Sequence, residues 1–240
     1  IGNSRDFGPI HEYILDKHLA KKFNHERIIL AILPDNDCDG MDSQKRKDRY
    51  FPYFEGKYPD YQLKYSIRSL DKSSWKLGNP KDDRPLKHFL LNYTYTRNLY
   101  DYIGALLDNW SLGRNIRQGS YQKISSFVEY DSEKWDMMKY SYEKIIEEAA
   151  CKKILFFTIP RMKDIWWYKE NRTSPLGEKL KTWASQFPNV YFLDLLPLMS
   201  EVVPSHNWAE LFNGCDRHWT KKGHKIAAEL IMEKYGSSLY

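Results

Sequence analysis

Cysteine is scarce in this 240-residue chain. There are three, Cys38, Cys151 and Cys215, with no Cys-x-x-Cys pair, so zinc-ribbon and dithiol redox chemistry are not expected. Long apolar runs are also missing. The longest, Ile28 to Leu33, has strand length, far below the roughly 18 residues that suggest a membrane span. No secretory leader is recognisable in the opening residues. The chain opens on Ile1 and not on Met, which leaves open a processed form or a piece of a longer product. Charge of one sign is not concentrated anywhere. Lys and Arg number 37 against 32 Asp and Glu, a net of +5, and they are spread along the chain. Nucleic acid is therefore not an expected partner. Internal repeats, low-complexity tracts and an interdomain linker are absent as well.

Aromatic residues, in contrast, reach 15%, with 8 Trp, 18 Tyr and 11 Phe. Most belong in a core, and any that line a cleft suit stacking on sugars or bases. With 42% hydrophobic residues, a chain of this length buries a sizeable core without help from metal or disulfide. Asn-x-Ser/Thr triplets at Asn92, Asn109 and Asn171 carry little weight, since such triplets arise often by chance.

Periodicity predicts the elements. Pro9 to Phe23 has apolar residues at helical spacing. Arg27 to Leu33 and Lys153 to Ile159 are apolar, β-branched runs that suit strands buried on both faces of a parallel sheet. Val190 to Leu193 is a third strand. Short strands are expected at Tyr50 to Phe54 and Gln62 to Ile67. Helices are expected over Pro85 to Leu107, Asp131 to Ala150, Thr173 to Phe187 and Thr220 to Tyr235. The alternation implies one α/β domain over residues 1–240, a three-layer α/β/α arrangement around a parallel sheet. Residues 43–130 read as an elaboration between two of its strands.

Parallel sheets place their working loops at the carboxyl ends of the strands. This selects three segments: Asp35, Asn36, Asp37 and Cys38 after the first strand; Arg161, Trp166 and Trp167 after the second; and the stretch leading to Cys215, Asp216, Arg217 and His218 after the third. A His beside a carboxylate is the base half of a hydrolytic triad, and Asp216-x-His218 precedes a helix whose cap is expected at Thr220. An Asn at a strand end has an amide able to donate to a developing oxyanion, and Asn36 stands there. Each has a plain alternative, a surface Asp and His or an ordinary Asn-Asp turn. Residues 35–40 (DNDCDG) also match the start of a calcium loop. Position 12 of that loop is Arg46 where a bidentate Glu is required, so no metal site is expected.

Taken in order, RIILAILPDNDC and CDRHWTKKGHKIAAELI resemble the third and fourth sequence blocks of the SGNH (GDSL-type) hydrolase superfamily. FFTIPRMKDIWW and VYFLDLLPLM are similar to its fourth and fifth strands. The D-x-H-W variant resembles branches that acylate polysaccharides. The resemblance implies a flavodoxin-like sheet and a Ser/His/Asp mechanism for ester hydrolysis or O-acyl transfer, acting on an ester-bearing or glycan substrate with no cofactor. It assigns His218 as general base, Asp216 as its orienter, and Asn36 with Gly2 as the oxyanion hole. Trp166, Trp167 and Arg161 become candidate substrate contacts. IGNSRDFG permits two readings. As a nucleophile block it makes Ser4 the nucleophile. As the glycine block, the favoured reading, it places the nucleophilic Ser upstream of Ile1. The alternative to an enzyme is a catalytically inactive glycan-binding or assembly module of the same fold. The resemblance also puts Cys38 and Cys215 at the rim of one site, which implies a disulfide and a secreted, periplasmic or lumenal setting.

Overall fold

The structure, a computed structural model, describes residues 8–34, 37, 51–66, 99, 103, 126–149, 152–202, 208–213 and 218–239. Gly2, Ser4, Asn36, Asp216 and all three cysteines lie outside this set. So does the helix expected over 85–107, apart from Leu99 and Ile103.

Five strands occur among the described residues: β1 (Arg27–Ile32), β2 (Phe51–Glu55), β3 (Gln62–Ser66), β4 (Lys153–Thr158) and β5 (Val190–Leu193). β1, β4 and β5 form a parallel sheet in that order, and β2 and β3 form a separate antiparallel pair. Register runs from Arg27 opposite Lys153 to Ile32 opposite Thr158, and from Ile154 opposite Val190 to Phe157 opposite Leu193. The helices are α1 (Pro9–His18), α2 (Ser132–Ala149), α3 (Met162–Asn171), α4 (Pro175–Ala184), α5 (Leu195–Val202), the single turn α6 (Trp208–Leu211) and α7 (Lys221–Leu239).

The central strand, β4, explains the layering. Side chains alternate across a strand, so Ile154 and Phe156 face one way and Leu155 the other. The first face joins Ile10 and Tyr13 of α1, Tyr142 and Ile145 of α2, and Leu180 and Trp183 of α4. The second joins Ile165 of α3, Leu196 and Met199 of α5, and Ala227 of α7. Helices therefore cover both faces of a parallel sheet, as the alternation of elements requires. Fully burying a side chain such as Phe156 contributes about 1.5–3 kcal/mol. The face predicted for α2 is buried at Trp135, Met138, Tyr142, Ile145 and Ile146.

Three expectations need correction. α1 ends at His18 and is followed by a 3-10 turn, Ala20–Lys22; the stripe stops because Leu19 and Phe23 are exposed and have no core to enter. β1 is not buried on both faces: Ile29 is 57% exposed. Among the described residues the second cluster draws its strand residues from β4 and β5 and none from β1. Trp166 and Trp167 stand on a helix, α3, and not in a loop. α5 also went unpredicted, because its LLPLMSEV run is short and contains Pro197.

The β2–β3 pair docks on α2 through three rings. Phe54 stacks on Tyr61 at 5.4 Å, and Tyr140 meets both edge-on at 5.1 and 5.3 Å. The Tyr140 hydroxyl donates to Tyr61 O, and the Tyr58 hydroxyl to the Glu143 carboxylate.

Candidate active site

The carboxyl ends of β1 and β4 lie side by side. The ladder between them runs to the last residue, where the Ile159 amide donates to Ile32 O at 2.7 Å. Just beyond β1 the chain closes on itself. The Asp37 carboxylate accepts the Leu33 amide at 2.7 Å, and the Asp37 amide donates to Leu33 O at 2.9 Å. A short acidic side chain can bond nearby backbone in this way, which is why Asp37 stays at 5% exposure.

A second carboxyl acts on Asp37 electrostatically. Glu12 of α1 has a buried Oε2 with no hydrogen-bond partner among the described residues. Burial pushes its pKa up to about 7, against a smaller opposing pull from the Tyr142 hydroxyl. Asp37 is also pushed well upward, by burial first and then by the Glu12 charge, with the Leu33 amide opposing. Two carboxyls that feel each other's charge away from water do not both ionise readily. Burial therefore favours the protonated form of each.

Beyond β4, Pro160 leads into α3, where Arg161 is the cap. The Asp164 carboxylate accepts the Arg161 amide at 2.7 Å and lies 3.5 Å from its guanidinium Nε. Asp164 is buried, and Arg161 is half-buried beside it. Trp166 and Trp167 are half-buried with their indole nitrogens inside the protein. Their rings therefore contribute to packing and present only part of their surface.

At the end of β5, Asp194 gathers three segments. Its carboxylate accepts Thr158 Oγ1 at 2.7 Å, Ser174 Oγ at 2.6 Å and the Leu196 amide at 3.0 Å. It thus caps α5 and joins β4 to the start of α4. Burial raises its pKa, opposed by those hydroxyls. Gly177 makes the close approach possible, since a Cβ there would lie 1.9 Å from Asp194 Oδ2.

His218 sits on a turn tied to this same edge. Phe212 and Trp219 form an antiparallel bridge. The Asn213 amide donates to His218 O at 2.8 Å, and the Thr220 amide to Leu211 O at 2.8 Å. Thr220 caps α7 as expected, its Oγ1 accepting the Gly223 amide at 3.2 Å. The same Oγ1 donates to Glu210 O, and Lys222 pairs with Glu210. The turn is joined to β4 by the Trp219 indole N–H, which donates to Pro160 O at 2.9 Å. The His218 side chain is exposed.

The structure thus brings the His218 turn, Arg161 and the start of α3 together beyond β4, next to the Asp37 turn beyond β1. Asn36, Gly2, Ser4, Asp216 and the Cys38–Cys215 pair lie outside the described residues. Sequence reading missed Glu12, the role of Asp37, the Asp194 junction and the Trp219 tie. Glu12 had no clear signal: it is half-buried and lies beside the buried face of α1, which is formed by Pro9, Ile10, Tyr13 and Asp16. No group of three or more His, Cys, Asp and Glu arranged to hold a metal ion occurs among the described residues. No described helix is long and apolar enough to cross a membrane.

Fold and site together define an α/β protein whose titratable groups collect at the carboxyl edge of a parallel sheet. No protein-family model, curated protein or solved structure matches the chain.

Proposed function

We propose that the chain is an ester hydrolase or O-acyltransferase of SGNH type, working through Ser, His and Asp at the carboxyl edge of the sheet. The observation that carries this reading is the Trp219–Pro160 bond, which sets the His218 turn beyond β4, the strand paired with β1. Asn36 adjoins Asp37 in sequence, at the end of β1. An acyl-transfer site needs a base and an oxyanion donor within reach of one carbonyl, and neighbouring strand ends can supply both.

In this reading the nucleophilic Ser is Ser4 or a residue upstream of Ile1. Its Oγ attacks the ester carbonyl while His218 takes its proton, with Asp216 orienting the imidazole. Asn36 and Gly2 donate to the oxyanion. The leaving alcohol collects the proton from His218. Water, or an acceptor hydroxyl on a glycan, then attacks the acyl-enzyme carbonyl while His218 takes its proton; the bond to Ser Oγ breaks, and His218 returns that proton to the Ser. Arg161, Trp166 and Trp167 line the approach from α3. No metal or organic cofactor enters this scheme. The sheet is of flavodoxin-like, SGNH type, and a Cys38–Cys215 disulfide holds the two loops in a secreted, periplasmic or lumenal protein.

The test is labelling by a fluorophosphonate probe together with hydrolysis of short-chain nitrophenyl esters. Covalent labelling, and ester turnover lost in His218→Ala, support the reading. Absence of both, with binding to acylated glycans retained, assigns the chain to the inactive glycan-binding alternative.

A further inference from the structure

We propose that His25 and Lys152 form a proton-sensitive clasp between the amino ends of β1 and β4, closed while the imidazole is neutral and opened when acid protonates it. His25 stands two residues before β1 and Lys152 one residue before β4. This is the edge of the sheet opposite the candidate site, so the clasp does not rest on the proposed function.

The hydrogen bonds fix the state of the ring. Lys152 Nζ lies 3.0 Å from His25 Nε2. A lysine ammonium only donates, so Nε2 is the acceptor and carries no proton. His25 Nδ1 lies 2.8 Å from Phe23 O. A carbonyl only accepts, so Nδ1 carries the hydrogen. One neutral tautomer satisfies both contacts. The imidazolium satisfies only one, because its Nε2–H would face the ammonium. Taking up a proton therefore requires the Lys152 side chain to leave the ring.

The backbone beside the clasp is well held. The Lys152 amide donates to Ala149 O at 3.1 Å, and its carbonyl accepts Asn189 Nδ2 at 2.8 Å. The Lys153 amide donates to Glu26 O at 3.3 Å. That long bond opens the ladder between β1 and β4, one residue from each member of the clasp. Three further charged groups gather here with His25 and Lys152: Asp16 of α1, which is buried, Glu148 of α2 and Lys21 of the 3-10 turn. Lys21 pairs with Glu148. Glu26 and Arg27, on the segment of His25 itself, are exposed. Asp16 responds to acid with the opposite sign. Burial first and then the Glu148 charge raise its pKa, so its contribution is present at low pH and is lost as pH rises. Loosening by acid therefore does not come from Asp16.

The experiment uses the intact chain at pH 8 and pH 5, which span the charge change of an imidazole. It reads the ring nitrogens of His25 by NMR, assigned by their loss in His25→Gln, and the exchange protection of the Lys153 amide, corrected for the pH dependence of intrinsic exchange. At pH 8 the ring is expected to show the Nδ1–H tautomer. On going to pH 5, protection at Lys153 should fall about tenfold, the worth of one charge-assisted hydrogen bond. His25→Gln places an amide oxygen near the position of Nε2, an acceptor that does not titrate. It should hold the parent's pH 8 protection at both pH values. Lys152→Met removes the donor and should give the same lowered protection at both, which keeps the test open if His25→Gln does not fold. His18→Gln changes an exposed histidine at the end of α1 and should leave the parent's fall intact. An Nε2–H tautomer at pH 8 overturns the proposal. So does equal protection of the parent at both pH values, or a fall as large in either His25→Gln or Lys152→Met as in the parent.

Discussion

Asp37 and Leu33 are bonded to each other twice, amide to carboxylate at 2.7 Å and amide to carbonyl at 2.9 Å. This closed turn follows β1 and buries a carboxyl that feels the charge of Glu12 of α1. It makes the junction between α1 and the sheet sensitive to protons.

The pH dependence of stability follows. Glu12 has a folded-state pKa of about 7 against an ordinary 4.5. A raised carboxyl binds its proton more tightly in the folded state. Its favourable contribution is complete below the unfolded value and is lost as pH rises through the folded one. A 2.5-unit difference corresponds to about 3 kcal/mol. Urea unfolding should show the protein less stable at pH 8 than at pH 5, with much of that difference removed in Glu12→Gln. Identical pH profiles for parent and variant would show that Glu12 does not hold the extra proton.

Replacing Asp37 separates charge from hydrogen bonding. Asp37→Ala leaves the Leu33 amide without its acceptor and should cost about 1–3 kcal/mol at any pH. Asp37→Asn keeps an acceptor and removes the charge that opposes Glu12. It should equal or exceed the parent in stability at pH 8. Thermal melts of the two variants check the order, which reverses if the carboxylate charge is what the turn needs.

Gly177→Ala tests the Asp194 junction. The new methyl would meet Asp194 Oδ2 at 1.9 Å and Ser174 Oγ at 2.5 Å, and three hydrogen bonds keep that carboxylate from moving aside. A loss of about 1–3 kcal/mol is expected from overpacking. A melting temperature within one degree of the parent would mean that the junction yields freely.

His218→Ala should reduce ester turnover by about four orders of magnitude. Because the side chain is exposed, stability should change by less than about 0.5 kcal/mol. The decisive comparison is turnover on a confirmed ester at matched folded concentration. Turnover equal to the parent's removes His218 from the chemistry.

Local pattern carried much of the architecture. The β-branched run KILFFT and the spacing of Met138, Tyr142, Ile145 and Ile146 on α2 are signals of one element each, readable without its neighbours. Thr220 was legible for the same reason: a cap is defined by the three residues that follow it. β1 misled because RIILAI has the composition of a central strand, whereas its covering depends on helices elsewhere in the chain. Trp166 and Trp167 misled because a helix cap made by Arg161 and Asp164 has no strong sequence mark.

Composition and periodicity therefore determined that the chain builds a parallel sheet with helical cover, and on which edge its loops would gather. Tertiary structure alone decided which polar groups meet there. The electrostatic effect of Glu12 on Asp37 links residues 25 apart, the Trp219–Pro160 bond joins residues 59 apart, and Asp194 reaches Thr158 across 36. Spacing within one helix or strand reports on neighbours a few residues away. Contacts across tens of residues exist only once burial has brought separate elements together, and that same burial shifts the carboxyls.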